Sequence, residues 1–307
     1  MFWTGWFEPK PFNEGYLPEI DGHQVYYAQF GNARGFPVLV LHGGPGGSSK
    51  AKHIKMFDLK KYRIIVFDQR GCGKSHPLGQ WQKNTTKDIL DDIDRLLQHL
   101  EIYEKIIIKG GSWGSSLALL YAERHPEKVK QLLLSQIFLA DEESKKWEEE
   151  GTALFYPDIW EQIKSKVRGN YSIGEYYAKL INTGEAKKQA KAISYLGSYE
   201  RLLGCLNPKI EPKVLDEKNV ASNRIYINYL ANDFYLKENQ IMKNIKKIAN
   251  IPTLIVHNRL DFVCPLGGAY RLHKAMHNSK LVIVPDKGHV SSLLYKTIAT
   301  ETKKEII

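Results

Sequence analysis

The stretch Gly110-Gly111-Ser112-Trp113-Gly114 constrains this chain more than any other. Lys105-Ile106-Ile107-Ile108-Lys109 precedes it and reads as a buried strand, because three β-branched residues fall in a row. Ser115-Ser116-Leu117-Ala118-Leu119-Leu120-Tyr121-Ala122 follows it and is rich in helix formers. Strand, Gly-x-Ser-x-Gly, helix is the context of a serine held on a strained turn. A side chain at Gly110 or Gly114 is expected to clash there. Ser112 is thereby expected to project its hydroxyl clear of the sheet, beside the unpaired N–H groups of a helix N-terminus.

The flanking sequence extends this pattern. Gln24–Gln29, Val38–Leu41 and Arg63–Phe67 read as strands before the serine, and Leu132–Leu134 as one after it. Ile89, Ile93, Leu96, Leu97 and Leu100 fall at helical spacing, with Thr85 or Thr86 placed to cap the helix. Residues 1–20 read as an irregular arm carrying Pro9, Pro11 and Pro18. From Asp141 to about Ala249 the chain becomes charged and helical in pattern. Pro252–His257 and Leu281–Val284 then restore the buried-strand signature. The expected architecture is an α/β fold with a mainly parallel sheet and helices on both faces. Its core is expected to span 1–140 and 250–307, with 141–249 forming an inserted helical cap.

A serine hydroxyl becomes a nucleophile when a base takes its proton and an acid orients that base. In a sheet of this kind the order along the chain is Ser, then Asp or Glu, then His. Asp261 lies just past the strand expected to end at His257, and His289 just past the one expected to end at Val284. Both fall at the C-terminal edge of the sheet, with Ser112. Asp286 is a rival acid, but three residues before His289 it would need an awkward local loop, and Asp261 is favoured. The oxyanion donors are expected from Trp113 and from the loop His42-Gly43-Gly44-Pro45-Gly46-Gly47. Pro45 has no N–H, which leaves Gly43 or Gly44, and Gly44 is chosen.

Other classes are less well supported. Cys72, Cys205 and Cys264 are widely spaced and odd in number, which indicates neither a disulfide framework nor a zinc site. Gly73-Lys74-Ser75 resembles the end of a phosphate-binding loop, but Asp68 stands where that motif needs its first glycine. His273 and His277 lack the intervening glutamate of a metalloprotease helix and read as packing or surface residues. The net charge is +10, yet residues 141–249 hold 18 Lys and Arg against 16 Asp and Glu. The bases are interleaved with acids throughout, so no nucleic-acid partner is expected. The aromatic N-terminus does not read as a signal peptide, and no apolar run is long enough for a membrane span. A cytoplasmic enzyme without metal or cofactor, acting on a small molecule or short peptide, is the expectation.

The chain resembles the prolyl iminopeptidases, serine aminopeptidases of the α/β-hydrolase fold. The resemblance covers nearly the whole length. It rests on His42–Gly47, on Phe67-Asp68-Gln69-Arg70-Gly71-Cys72-Gly73-Lys74-Ser75, on Gly110–Ser115, on Val256–Pro265 and on Gly288-His289. It implies Ser112, Asp261 and His289 as the triad, Gly44 and Trp113 as the oxyanion hole, and release of an N-terminal proline without a cofactor. The family holds the substrate amine with two cap glutamates. The first corresponds to Glu200 in Leu196-Gly197-Ser198-Tyr199-Glu200. The second is replaced by Tyr226 in Arg224-Ile225-Tyr226-Ile227-Asn228-Tyr229-Leu230. Phe138 keeps a proline-pocket position. Glu148, Glu149 and Glu238 are the carboxylates considered as substitutes for the missing one. The alternative function is an esterase, lactonase or other amidase with an altered cap.

Overall fold

The computed structural model describes residues 9–206 and 216–305. Eight strands form one sheet: β1 (Asn13–Tyr16), β2 (Tyr26–Gly31), β3 (Phe36–Leu41), β4 (Tyr62–Phe67), β5 (Ile106–Ser112), β6 (Val129–Ile137), β7 (Thr253–Leu260) and β8 (Ser279–Lys287). Their spatial order is β1-β2-β4-β3-β5-β6-β7-β8. β1 and β2 pair antiparallel with their neighbours, and every pair from β4 to β8 is parallel.

The two-residue period of a strand divides the core between the faces of the sheet. Leu39, Leu41, Ile65, Phe67, Ile106 and Ile108 pack on one face with the helices Thr86–His99 and Trp113–Arg124. Val38, Val40, Ile64, Val66 and Ile107 pack on the other, against Leu294 and Ile298 of the helix Ser292–Glu305. The helix Thr86–His99 starts at a capping box in which Thr85 and Asp88 each satisfy the other's backbone. Its buried Asp92 takes two hydrogen bonds from Arg70, at 2.7 and 3.0 Å, so the buried charges are paired.

Between β6 and β7 the described secondary structure is all helical, from Glu142–Lys146 to Ile245–Lys247. These helices build a core of their own around Trp160, Ile163, Tyr177, Ile181, Tyr199 and Ile227.

Three local expectations change. The arm contains β1, which runs antiparallel to β2 and bridges on through Ile20 and His23. Asn13-Glu14-Gly15-Tyr16 is mostly exposed, so it lacks the apolar alternation that marks a strand. β2 is shifted two residues later than expected, and Gln24 instead bridges to His76. β7 and β8 extend past His257 and Val284 to Leu260 and Lys287. Asn258 and Arg259 after His257, and Pro285, Asp286 and Lys287 after Val284, break the apolar runs, which hid these ends. The segment before Pro9, and the side chain of Cys205, lie outside the described residues.

Candidate active site

Ser112 ends β5 and precedes the helix Trp113–Arg124, with φ 56° and ψ −133°. That left-handed backbone is strained for a residue with a side chain. A Cβ at Gly110 would sit 2.1 Å from the carbonyl of Gly114, and one at Gly114 would sit 2.3 Å from the carbonyl of Leu41. The two glycines therefore allow the turn to close. The backbone N–H of Trp113 lies in the first helical turn, where no intrahelical acceptor exists.

The loop after β3 is tied to this turn by a buried network. The N–H of Gln69 donates to Nε2 of His42 at 3.0 Å, and the Gln69 amide donates to the His42 carbonyl at 2.9 Å. The Trp113 indole donates to Oε1 of Gln69 at 3.1 Å. Gln69 thus joins the glycine loop to the serine turn. Gly44 lines the same pocket as Ser112.

Asp261 follows directly on β7, and its buried carboxylate is fully engaged. Oδ1 accepts the N–H groups of Val263 and Cys264 at 3.0 and 2.9 Å, and Oδ2 faces Nδ1 of His289 at 2.8 Å. Burial opposes the Asp261 charge, but His289 outweighs it and the carboxyl is held below its usual range. Burial likewise opposes charge on His289. Asp261 and then Glu200 overcome it, raising the imidazole above its ordinary value. Asp286, the rival acid, accepts instead from the N–H of Lys287 on the surface. The His289 loop is pinned on three sides. Its N–H donates to Gly204 at 3.0 Å, its carbonyl accepts from Gln136 at 2.6 Å, and Asn258 holds the Gly288 carbonyl at 2.8 Å.

Two cavities meet at Ser112. The first, about 40 Å³, is walled by Phe138, Phe234, Phe262 and Tyr199 and carries the carboxylates Glu148 and Glu200. The Tyr226 hydroxyl donates to Glu148 at 3.2 Å. Burial pushes the Glu148 carboxyl up to about 7; the Tyr226 bond opposes this, while Glu200 and Glu149 add to it. Both acids are presented beside wide i→i+5 turns. Glu148 lies in Trp147–Gly151, and Glu200 follows Ile193–Gly197. Such turns rotate the residues after them relative to an ordinary helix and recur at functional sites. The Trp147 indole donates to the Phe262 carbonyl at 2.8 Å, which fastens the Glu148 turn next to Asp261. Glu149 and Glu238 are exposed. The second cavity, about 210 Å³, opens between Ser112, His289 and the lysines Lys50, Lys52 and Lys109.

Cys264 lines the first cavity together with Ser112, and burial pushes its thiol far above the ordinary value. Cys72 is also buried, but beside Gly46 and Asp68, away from that pocket. His273 packs onto Ser279 at 2.7 Å. Among the described residues no group of three or more His, Cys, Asp or Glu is arranged to hold a metal ion. None of their helices is long and apolar enough to cross a membrane.

Residues 37–294 match the family model of the alpha/beta hydrolase fold. A probable proline iminopeptidase of Leptolyngbya boryana is 39% identical over 91% of this chain and 89% of its own length. The proline iminopeptidase of Arabidopsis thaliana is 39% identical over 91% of this chain and 76% of its own. That of Neisseria gonorrhoeae is 36% identical over 91% of each. The chain belongs to the proline iminopeptidase family of α/β-hydrolases. It is a serine hydrolase of the prolyl aminopeptidase type. Among solved structures, MGS-M2, an alpha/beta hydrolase from a Medee basin deep-sea metagenome library, superposes with TM-score 0.66 at 20% identity, over 94% of this chain and 96% of its own. VinJ superposes with TM-score 0.66 at 18% identity, over 97% of this chain and 100% of its own. Both likenesses concern the fold.

Set against the family pattern, Ser112, Glu200, Tyr226 and Phe138 all line one pocket, and Asp261 meets His289 beside it. Three neighbours were not assigned to the site from sequence: Gln69, Gln136 and, beyond its place among three candidate carboxylates, Glu148. Gln69 sits inside a block that carries the family resemblance, which was its available signal. Of Cys72 and Cys264, which both follow strand ends in those blocks, Cys264 is the one that lines the Ser112 pocket.

Proposed function

We propose that this enzyme releases an N-terminal proline, or a small apolar residue, from short peptides through a Ser112 acyl-enzyme. Ser112 Oγ attacks the first peptide carbonyl while His289 takes its proton through Nε2. Asp261 holds the ring by Nδ1 and balances the imidazolium. The N–H groups of Trp113 and Gly44 receive the developing oxyanion. His289 then passes the proton to the departing amine, the C–N bond breaks, and water repeats the cycle on the prolyl ester of Ser112. The helices of 141–249 act as a cap that closes the amine-binding side.

One observation carries the substrate reading: the ring-walled pocket beside Ser112 contains two carboxylates, Glu148 and Glu200. A pocket that confines a small apolar ring and supplies counter-charge suits a free secondary ammonium, because a buried cation needs such partners. A neutral acyl group would bring no cation to these acids. Two free, buried cysteines, Cys72 and Cys264, support a cytoplasmic location. Incubation with Pro-Gly, Ala-Gly and N-acetyl-Pro-Gly, followed by free amino-acid analysis, tests the reading. Proline release from the first and none from the third is expected.

A further inference from the structure

The second cavity at Ser112 has the opposite charge character to the first. Its lining includes Lys50, Lys52 and Lys109, and its one acid, Glu200, lies at the junction and lines both cavities. Neither Lys50 nor Lys52 forms an ion pair with a carboxylate among the described residues. Lys52 instead donates to the Tyr295 hydroxyl at 2.8 Å.

Two buried groups in this cavity have unused bonding capacity. Lys109 is 6% exposed, and its ammonium donates to the Gly110 carbonyl at 3.0 Å and to Ser135 Oγ at 2.9 Å. An ammonium has three donors, so one N–H remains. Burial pulls Lys109 down to about 7, and no carboxylate offsets the effect. Nδ1 of His53, a second lining residue, is buried without a hydrogen-bond partner. An oxyanion entering here would meet the spare Lys109 donor in a low-dielectric wall, with Lys50 and Lys52 at the exposed side.

We infer that this cavity is a carboxylate subsite for the departing end of a short peptide, so that free-acid dipeptides and tripeptides are preferred over their amides. The inference rests on the aminopeptidase reading above. The geometry fits a zwitterion: ammonium toward Glu148 and Glu200, scissile carbonyl at Ser112, carboxylate toward the lysines. Each residue extends the chain by roughly 3.3–3.6 Å, so one or two residues beyond the scissile bond suffice to reach across a cavity of this size.

The test compares kcat/KM for Pro-Gly and Pro-Gly-Gly with that for their C-terminal amides. The acids should exceed the amides by roughly tenfold, the scale of one charge-assisted hydrogen bond. The ratio should fall toward one in Lys109→Met, and partly in Lys50→Ala, a surface change that leaves the core intact. Added sodium chloride should also lower it. A wild-type ratio of one, or a ratio that both variants leave unchanged, overturns the inference. A second arm is independent of proline turnover. Glycylglycine should inhibit hydrolysis of a neutral acyl ester better than its C-terminal amide, glycylglycinamide, does. Ester turnover with no proline release, yet with this selective inhibition, would overturn the substrate reading and keep the anion site. Proline release with equal inhibition by acid and amide would do the reverse.

Discussion

The Tyr226 hydroxyl donates to Oε1 of Glu148 across 3.2 Å, joining two segments that lie 78 residues apart in the chain. The family resemblance implies a second amine-binding glutamate at the position that Tyr226 occupies. Tyr226 brings no charge of its own, but it holds a carboxylate delivered from another helix. The count of acids in the pocket is thereby kept at two, Glu148 and Glu200.

Glu148→Gln should lower kcat/KM for prolyl arylamide by roughly ten- to a hundredfold, since a charge-assisted contact is replaced by a neutral one. Glu200→Gln should act in the same direction. Tyr226→Phe should have a smaller effect, because it loosens Glu148 without removing it. Steady-state kinetics of the three variants, with an acyl ester as reference, checks the order.

The pH profile should carry two ionisations on its acid side. Glu148 is raised to about 7 and must be ionised to hold an ammonium, so amine binding improves as pH rises through 7. His289 is raised above its usual value and must be neutral to act as base, so turnover also improves with pH. The free-amine substrate should therefore show a steeper acid limb than an acyl ester. In Glu148→Gln the two limbs should have the same slope.

Asp261→Asn should reduce kcat by about four orders of magnitude, as loss of the orienting acid does in other triads. Asp286→Asn should change it by less than about threefold, since that side chain caps its own surface turn. Parallel kcat measurements on the two variants separate the acids.

Lys109 should make stability depend on pH. Its folded pKa is depressed to about 7 from 10.5, so the folded protein binds fewer protons than the unfolded chain between these values. The burden of a buried ammonium is full below pH 7 and is relieved as pH rises toward 10.5. Lys109→Met should accordingly raise stability by a few kcal/mol at pH 7, from about 1.4 kcal/mol per pKa unit less the two lost hydrogen bonds. The gain should shrink at pH 9. Urea denaturation at both pH values measures it.

Much of this architecture was legible because its signals are local. Three consecutive isoleucines mark β5, and the helical spacing of Ile89, Ile93, Leu96, Leu97 and Leu100 marks the helix that covers one face. The serine turn could be read because Gly110 and Gly114 are steric requirements, with 2.1 and 2.3 Å clashes awaiting any Cβ. Order along the chain was enough to point to Asp261 and His289. β1 was not legible, because its pairing is a property of the neighbouring edge and not of its own exposed residues. Glu148 could be named only as one of three candidates. Its place depends on a wide helical turn and on the Trp147 bond to Phe262, a contact across 115 residues. Lys109 interrupts an apolar strand without announcing the cavity behind it.

The central claim is that Ser112 cleaves after an N-terminal residue whose free amine is held by the cap. The most direct measurement is kcat/KM for L-prolyl arylamide beside N-acetyl-prolyl arylamide and a short acyl ester, in the wild type and in Ser112→Ala. The account predicts that the free-amine substrate exceeds its N-blocked analogue by at least about a hundredfold, as expected when a buried charged partner is lost. It predicts that Ser112→Ala abolishes all three activities while folding normally. Equal cleavage of the blocked and free prolyl substrates, or turnover surviving in Ser112→Ala, would contradict it.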